Sequence, residues 1–258
     1  MTTLLIALSL LLAPQSAPIS AASLSVTPKS VAEFDMSRLR GEIRVLTWNT
    51  DGTELYLETA ELGNDALPKQ TFHYIVKASS GELKKVDAEP AWSAAYREAM
   101  KFKSAPGDTD FIISLETEER RATATGIPMG GDYARGGTTA DVGGSAGGIS
   151  VSAVAAAANQ SQTGTAHVMR LKGQTVGEWL NRPIVPGQSY GWGPQGSNVI
   201  AYAEPNNRQL MVMDKSGAKK KIDDTKGVYS PAFSNDGKQL AWLELRNKKA
   251  TLFVADVR

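Results

Sequence analysis

The residues best suited to chemistry are few and scattered. The two histidines, His73 and His167, lie ninety-four positions apart. Zinc sites take three or four protein ligands. The chain has no cysteine, so thiolate ligands, disulfides and cysteine nucleophiles are excluded. Carboxylates cluster at Glu116, Glu118 and Glu119, and again at Asp223 and Asp224. A carboxylate pair can cleave a glycosidic bond, but only at a set distance in space. Charges near strand ends are usually solvated rims. The serines are many, and none is singled out as a nucleophile. No phosphate-cradling glycine loop ending in Lys-Ser or Lys-Thr occurs. No catalytic, cofactor-binding or metal-ligating residue is therefore assigned. The 28 basic and 27 acidic residues leave a formal charge of +1. No broad field invites nucleic acid or an anionic membrane.

The histidines gain meaning from the elements around them. The chain repeats a phrase in which an aromatic residue stands four positions before a glycine. Trp48 and Gly52, Trp192 and Gly196, and Phe233 and Gly237 all show this spacing. A looser copy pairs Phe102 with Gly107, five positions on. The last two copies are 41 residues apart, within the 40–45 residues of a propeller blade. The polar stretch before each glycine reads as a hairpin turn, since glycine takes positive φ cheaply. The apolar run after it reads as a strand. The aromatic then packs between neighbouring sheets. Tyr190, Trp192, Tyr202 and Trp242 fit that core better than a ligand-binding mouth. His73 and His167 fall in corresponding strands of two units.

The repeats predict an all-β fold, a β-propeller of about four four-stranded blades. Three units have four strands of their own and the last has three. Part of residues 31–39 is expected to pair with residues 250–256, supplying the missing strand and joining the chain ends. Lys219, Lys220 and Lys221, like Lys84 and Lys85, are expected on outer edge strands, where lysine discourages strand-to-strand aggregation.

The phrase SPAFSNDGKQLAW, with LMVMD and a Ser-Gly turn in the adjacent unit, resembles the TolB-like, or WD40-like, propeller repeat. The resemblance covers residues 188–258 and 42–87 and fades over 88–187. It implies the fold and carries no catalytic residue. Members of this family commonly have six or more blades, so a ring completed by a second chain is an alternative. The resemblance also implies protein–protein contact in the cell envelope. A hydrolase with a carboxylate or metal site at the propeller channel is a further alternative.

Two segments depart from the repeat. Residues 4–12 read LLIALSLLL, and the first charged side chain is Lys29. The run is shorter than the ~20 apolar residues of a spanning helix. It reads as a signal peptide over residues 1–22, cleaved near Ala22. The remaining chain, 23–258, is then the propeller domain, periplasmic or secreted, with no membrane span. The second departure is a Gly/Ala-rich insertion, residues 117–165, in the second blade. Its glycine core has too few large apolar residues to order itself. The run 151–160 could form a short helix, since alanine is the best helix former. Met129, Asp132, Tyr133 and Arg135 are the candidate partner-binding residues. The reading that follows is a non-enzymatic module that binds a protein partner and takes no cofactor.

Overall fold

A computed structural model of the chain describes residues 18–63, 67–101, 111, 113–122, 162–171, 174–180, 188–204, 208–222 and 224–258. They form the strands β1 (Val26–Asp35), β2 (Glu42–Trp48), β3 (Glu54–Leu62), β4 (Pro68–Lys77), β5 (Leu83–Val86) and β6 (Ile113–Ala122). These are followed by β7 (Gln162–Leu171), β8 (Gln174–Leu180), β9 (Tyr190–Trp192), β10 (Val199–Ala203) and β11 (Leu210–Asp214). The last are β12 (Lys219–Lys221), β13 (Val228–Phe233), β14 (Gln239–Arg246) and β15 (Lys249–Val257). Two helices, α1 (Met36–Leu39) and α2 (Ala91–Lys101), complete the described elements.

The strands form antiparallel meanders. The first sheet runs β2-β3-β4-β5, the second β6-β7-β8, the third β12-β11-β10-β9 and the fourth β1-β15-β14-β13. The repeated phrase builds the first hairpin of three of them. After Trp48, Trp192 and Phe233 the chain turns at Gly52, Gly196 and Gly237, all with positive φ. The polar turn residues hold their own backbone. Asn49 Oδ1 accepts from Thr53 and Glu54 N–H, and Ser234 Oγ accepts from Gln239 N–H.

The middle strands β10 and β14 are apolar on both faces because the third and fourth sheets are covered on both sides. In β14, Leu240 and Trp242 face the third sheet, whereas Ala241 and Leu243 face the first. In β10, Val199 and Ala201 join the core shared with the fourth sheet, and Ile200 and Tyr202 join the core shared with Leu171 of the second. Strands buried on both faces read as continuous apolar runs. Trp48, Trp192 and Phe233 lie in three different cores, all buried. Tyr190 and Tyr202 are buried beside Trp192.

The inner strands are tied to one another. Trp48 Nε1–H donates to Ala232 O at 2.9 Å, and Gln188 Nε2 donates to Ile43 O at 2.8 Å. Gly191 approaches β13 so closely that a Cβ would lie 2.1 Å from Pro231 O.

The chain ends pair. β1 runs antiparallel to β15 from Val26 opposite Val257 to Asp35 opposite Lys249. The pairing strand thus starts earlier than residues 31–39, and Met36–Leu39 is a helical turn instead. Asp35 caps that turn by accepting from Ser37 N–H. The fourth sheet, with three strands of its own, reaches four through β1. β5 and β12, which carry the lysine runs, are the outermost strands of their sheets.

The second unit departs from the expected four strands. Where an inner strand was expected before Phe102, the chain forms α2. Its sequence, AWSAAYREAMK, is alanine-rich and favours helix. Phe102 and Gly107 lie outside the described residues. The expected insertion is also shorter than 117–165. β6 continues to Ala122 and β7 begins at Gln162, paired in register throughout. The candidate residues Met129, Asp132, Tyr133 and Arg135, and the run 151–160, lie outside the described residues.

Residues 18–25 lie against the third and fourth sheets. Ile19 N–H donates to Ser197 O at 2.9 Å, and Ala21 N–H to Asp214 Oδ2 at 2.9 Å. Ala21 and Leu24 are buried in the core between those sheets. Asp214 also accepts from Ser216 and Ala218 N–H. Burial pushes its pKa up, and the hydrogen bonds from Ser216, Ala21 and Ala218 outweigh it, so the value lies below the usual one. A lowered folded-state pKa stabilises above the ordinary carboxylate range, and the gain is lost as pH falls through the folded value. Asp214→Asn is expected to cost about 1.5–3 kcal/mol at neutral pH, the worth of hydrogen bonds to a charged group. Thermal melts should show the wild-type advantage shrinking below about pH 4. An equal advantage at acid pH would refute the charge-dependent role.

Candidate functional site

The strand faces that bury apolar side chains elsewhere become polar in two places. The first is the face of the first sheet turned away from the fourth. Leu55 and Leu57 of β3 face the fourth sheet. By the period of two, Tyr56 and Glu58 share the opposite face. His73 of β4 stands directly opposite Glu58. Thr47 comes from β2, and α2 lays Trp92 and Ser93 over them.

Tyr56 Oη lies 3.0 Å from Glu58 Oε2 and 2.6 Å from His73 Nδ1. A carboxylate only accepts, so Tyr56 donates to Glu58 and accepts from His73 Nδ1–H. This places a proton on His73 Nδ1. Trp92 packs edge-on to Tyr56, with ring centroids 6.3 Å apart. A second chain runs from Thr47 Oγ1 to Ser93 Oγ at 2.9 Å and from Ser93 Oγ to Glu89 Oε1 at 2.8 Å.

This arrangement holds a base but gives it no nucleophile. The Ser93 proton is directed to Glu89. Histidine and serine therefore belong to separate hydrogen-bond chains, unlike the serine–histidine pair of acyl transfer. The network fixes α2 on the sheet. Sequence reading passes over Tyr56, Glu58 and Ser93. The available signal is Glu58, a charge inside the otherwise apolar run of β3, ELYLETAEL.

A second motif also escapes the sequence reading. Residues 187–191 read Gly-Gln-Ser-Tyr-Gly, a G-x-S-x-G pattern centred on Ser189. A nucleophile elbow needs a strand-to-helix turn that exposes the serine. Ser189 instead precedes β9 and is fully buried. Its Oγ has no hydrogen-bond partner among the described residues.

The other sequence candidates are not brought together. Glu116 pairs with Arg170 at 2.9 Å across β6 and β7. His167 stands opposite Thr117 in the same ladder. Asp223 lies outside the described residues. Among the described residues no group of three or more His, Asp or Glu is placed to hold a metal ion.

The second polar place lies between the third and fourth sheets, at the far end of β14. A cavity of about 340 Å3 is lined by Pro28, Asp224, Thr225, Trp242, Glu244, Arg246, Thr251 and Phe253. Trp242 and Phe253 stack at 5.5 Å with planes 9° apart. Glu244 is buried, and Arg246 Nη2 donates to its Oε2 at 2.7 Å.

No family model matches the chain. Among solved structures it is similar to TolB from Acinetobacter baumannii, at 10% identity and a TM-score of 0.24, over 84% of this chain and 43% of that one. The β-propeller domain of Swd1 from Myceliophteria thermophila gives 10% identity and a TM-score of 0.23, over 82% and 52%. Oligogalacturonate lyase from Vibrio parahaemolyticus gives 12% and 0.22, over 82% and 64%. This chain spans less than two thirds of the length of each. Among the described residues no helix is long and apolar enough to cross a membrane.

Two substitutions separate structure from catalysis. Tyr56→Phe removes the hydrogen bonds to Glu58 Oε2 and His73 Nδ1 and should lower stability by about 1–3 kcal/mol in urea unfolding. Ser189→Ala removes a buried hydroxyl without a partner and should raise stability by about 1 kcal/mol. Labelling of Ser189 by a fluorophosphonate probe would contradict its structural assignment.

Proposed function

We propose that this chain is an exported, TolB-like β-propeller of four blades that acts as a non-enzymatic protein–protein interaction module. Its place is the cell envelope or the exterior. The ring is closed by β1 in the fourth blade, and α2 stands in for the inner strand of the second.

The observation that carries this reading is the ribbon formed by β6 and β7. The last pair between β7 and β8 is Ala166 with Leu180. The pairing with β6 continues beyond it, to Ala122 opposite Gln162. Among the described residues this stretch is a two-stranded ribbon whose base belongs to the second sheet. Such a ribbon offers a partner main-chain hydrogen-bonding edges, the means by which strands recognise one another. It leads into residues 123–161, where Met129, Asp132, Tyr133 and Arg135 are the proposed contacts. Sequence-poor, glycine-rich loops on rigid scaffolds are common places for recognition.

Export rests on the uncharged leader. A cut near Ala22 also removes Ile19 and Ala21 from their contacts with the body. The intact mass of the exported chain tests this, with Ser23 the expected first residue.

The binding reading is tested by joining Ala122 to Gln162 through an Asn-Gly turn. The shortened chain should keep its melting temperature and its compact monomeric scattering profile. It should lose crosslinking to the partner that the full chain captures from an envelope extract. Tyr133→Ala with Arg135→Glu should weaken that crosslinking. Undiminished crosslinking by the shortened chain would remove the ribbon from the function. A dimer in solution would replace the closed ring with one completed by a second copy.

A further inference from the structure

The core between the third and fourth sheets is apolar as far as Trp242 and then opens into the cavity at the end of β14. Its volume, about 340 Å3, falls at the low end of small-ligand sites. Its most unusual group is Glu244, whose side chain is 5% exposed. One oxygen, Oε2, accepts from Arg246 Nη2 at 2.7 Å. Among the described residues the other, Oε1, takes only the Trp242 indole N–H, at a long 3.4 Å. A carboxylate has about four acceptor positions. A buried one is costly unless donors fill them.

The donor that is present is loosely held. The Arg246 side chain is 56% exposed, and its other described bond reaches Asp224 O at 3.4 Å. Beside the carboxylate stand the stacked rings of Trp242 and Phe253. Aromatic faces beside an anion form the environment that attracts organic cations. Asp224 and Thr225 line the same cavity.

We infer that this cavity binds a guanidinium or ammonium group on a short aliphatic stem, with Glu244 as its anion. The half-buried Phe253 walls the stem, with Trp242 stacked behind it. Arg246 is the internal occupant that the ligand's cation displaces. The inference goes beyond the interaction reading and does not rest on it, since the cavity lies on the fourth sheet and not on the ribbon.

The test is calorimetric titration of the full chain with three probes: agmatine, Nα-acetyl-arginine amide and Nα-acetyl-norleucine amide. The two cationic probes should bind and the norleucine amide should not. Arg246→Ala should bind the cations at least about tenfold more tightly, since the ligand's cation no longer has to displace the guanidinium from Glu244. Glu244→Gln should abolish binding. A preference for agmatine assigns a free amine as the ligand, and a preference for the acetylated amide assigns a basic side chain on a peptide. Either preference supports the site. Equal binding of the norleucine amide, or no gain in Arg246→Ala, overturns it. Should Glu244→Gln fail to fold, the comparison of Arg246→Ala with wild type decides alone.

Discussion

A sheet covered on both sides must be apolar on both sides, and most of this molecule follows from that condition. β14 meets it with Leu240 and Trp242 toward one neighbour and Ala241 and Leu243 toward the other. β10 meets it with small residues on one face and larger ones on the next. Large side chains on one sheet then face smaller ones on another, which fills the space without strain. The aromatic residue before each turn sits where the inner strands converge. Trp48 adds a hydrogen bond there, to Ala232 O. Close convergence leaves no room for a side chain at Gly191.

The condition fails on one face of the first sheet, and polar chemistry appears there. Tyr56, Glu58 and His73 would be costly under an apolar neighbour. Here α2 lies over them and supplies Trp92 and Ser93 at the right positions. The helix and the polar strand face thus explain each other. The hydrogen bond from Thr47 to Ser93 also fixes the position of the helix more tightly than apolar packing alone. At the outer end of β14 the condition relaxes differently. Glu244 is buried with one exposed partner, and a cavity takes the place of close packing.

Much of the architecture was legible because it depends on local rules. Hairpin turns need a residue with positive φ, and Gly52, Gly196 and Gly237 mark them. Lysines crowd the outer strands β5 and β12, where edge chemistry favours them. The pairing of residues 32–34 with 250–252 was also foreseeable, because an edge strand near one end lacked a neighbour. What escaped depends on contacts distant in sequence. The helix α2 shares the aromatic and alanine content of a strand-turn copy, and its proper reading needs the polar face that it covers. The Tyr56 network joins residues from two strands and a helix. The Ser189 motif has the right letters, yet its meaning lies in burial and in the strand that follows. Glu244 follows an apolar run in the sequence, and only its neighbours show it to be buried.

The pairing of β1 with β15 has a mechanical consequence. Val26 stands opposite Val257, so the first and last residues of the ladder emerge side by side. Ser25 and Arg258 extend the match with reciprocal backbone bonds of 2.8 and 3.1 Å. A load drawn between these ends loads the ladder one rung at a time. It opens like a zip, because the bonds lie along the direction of pull and not across it. Peeling of this kind yields at far lower force than sliding strands past each other. Once the contacts of residues 18–21 with the third sheet let go, the fourth sheet is the one that tension opens first, beginning at the outer strand and leaving the inner ties for last.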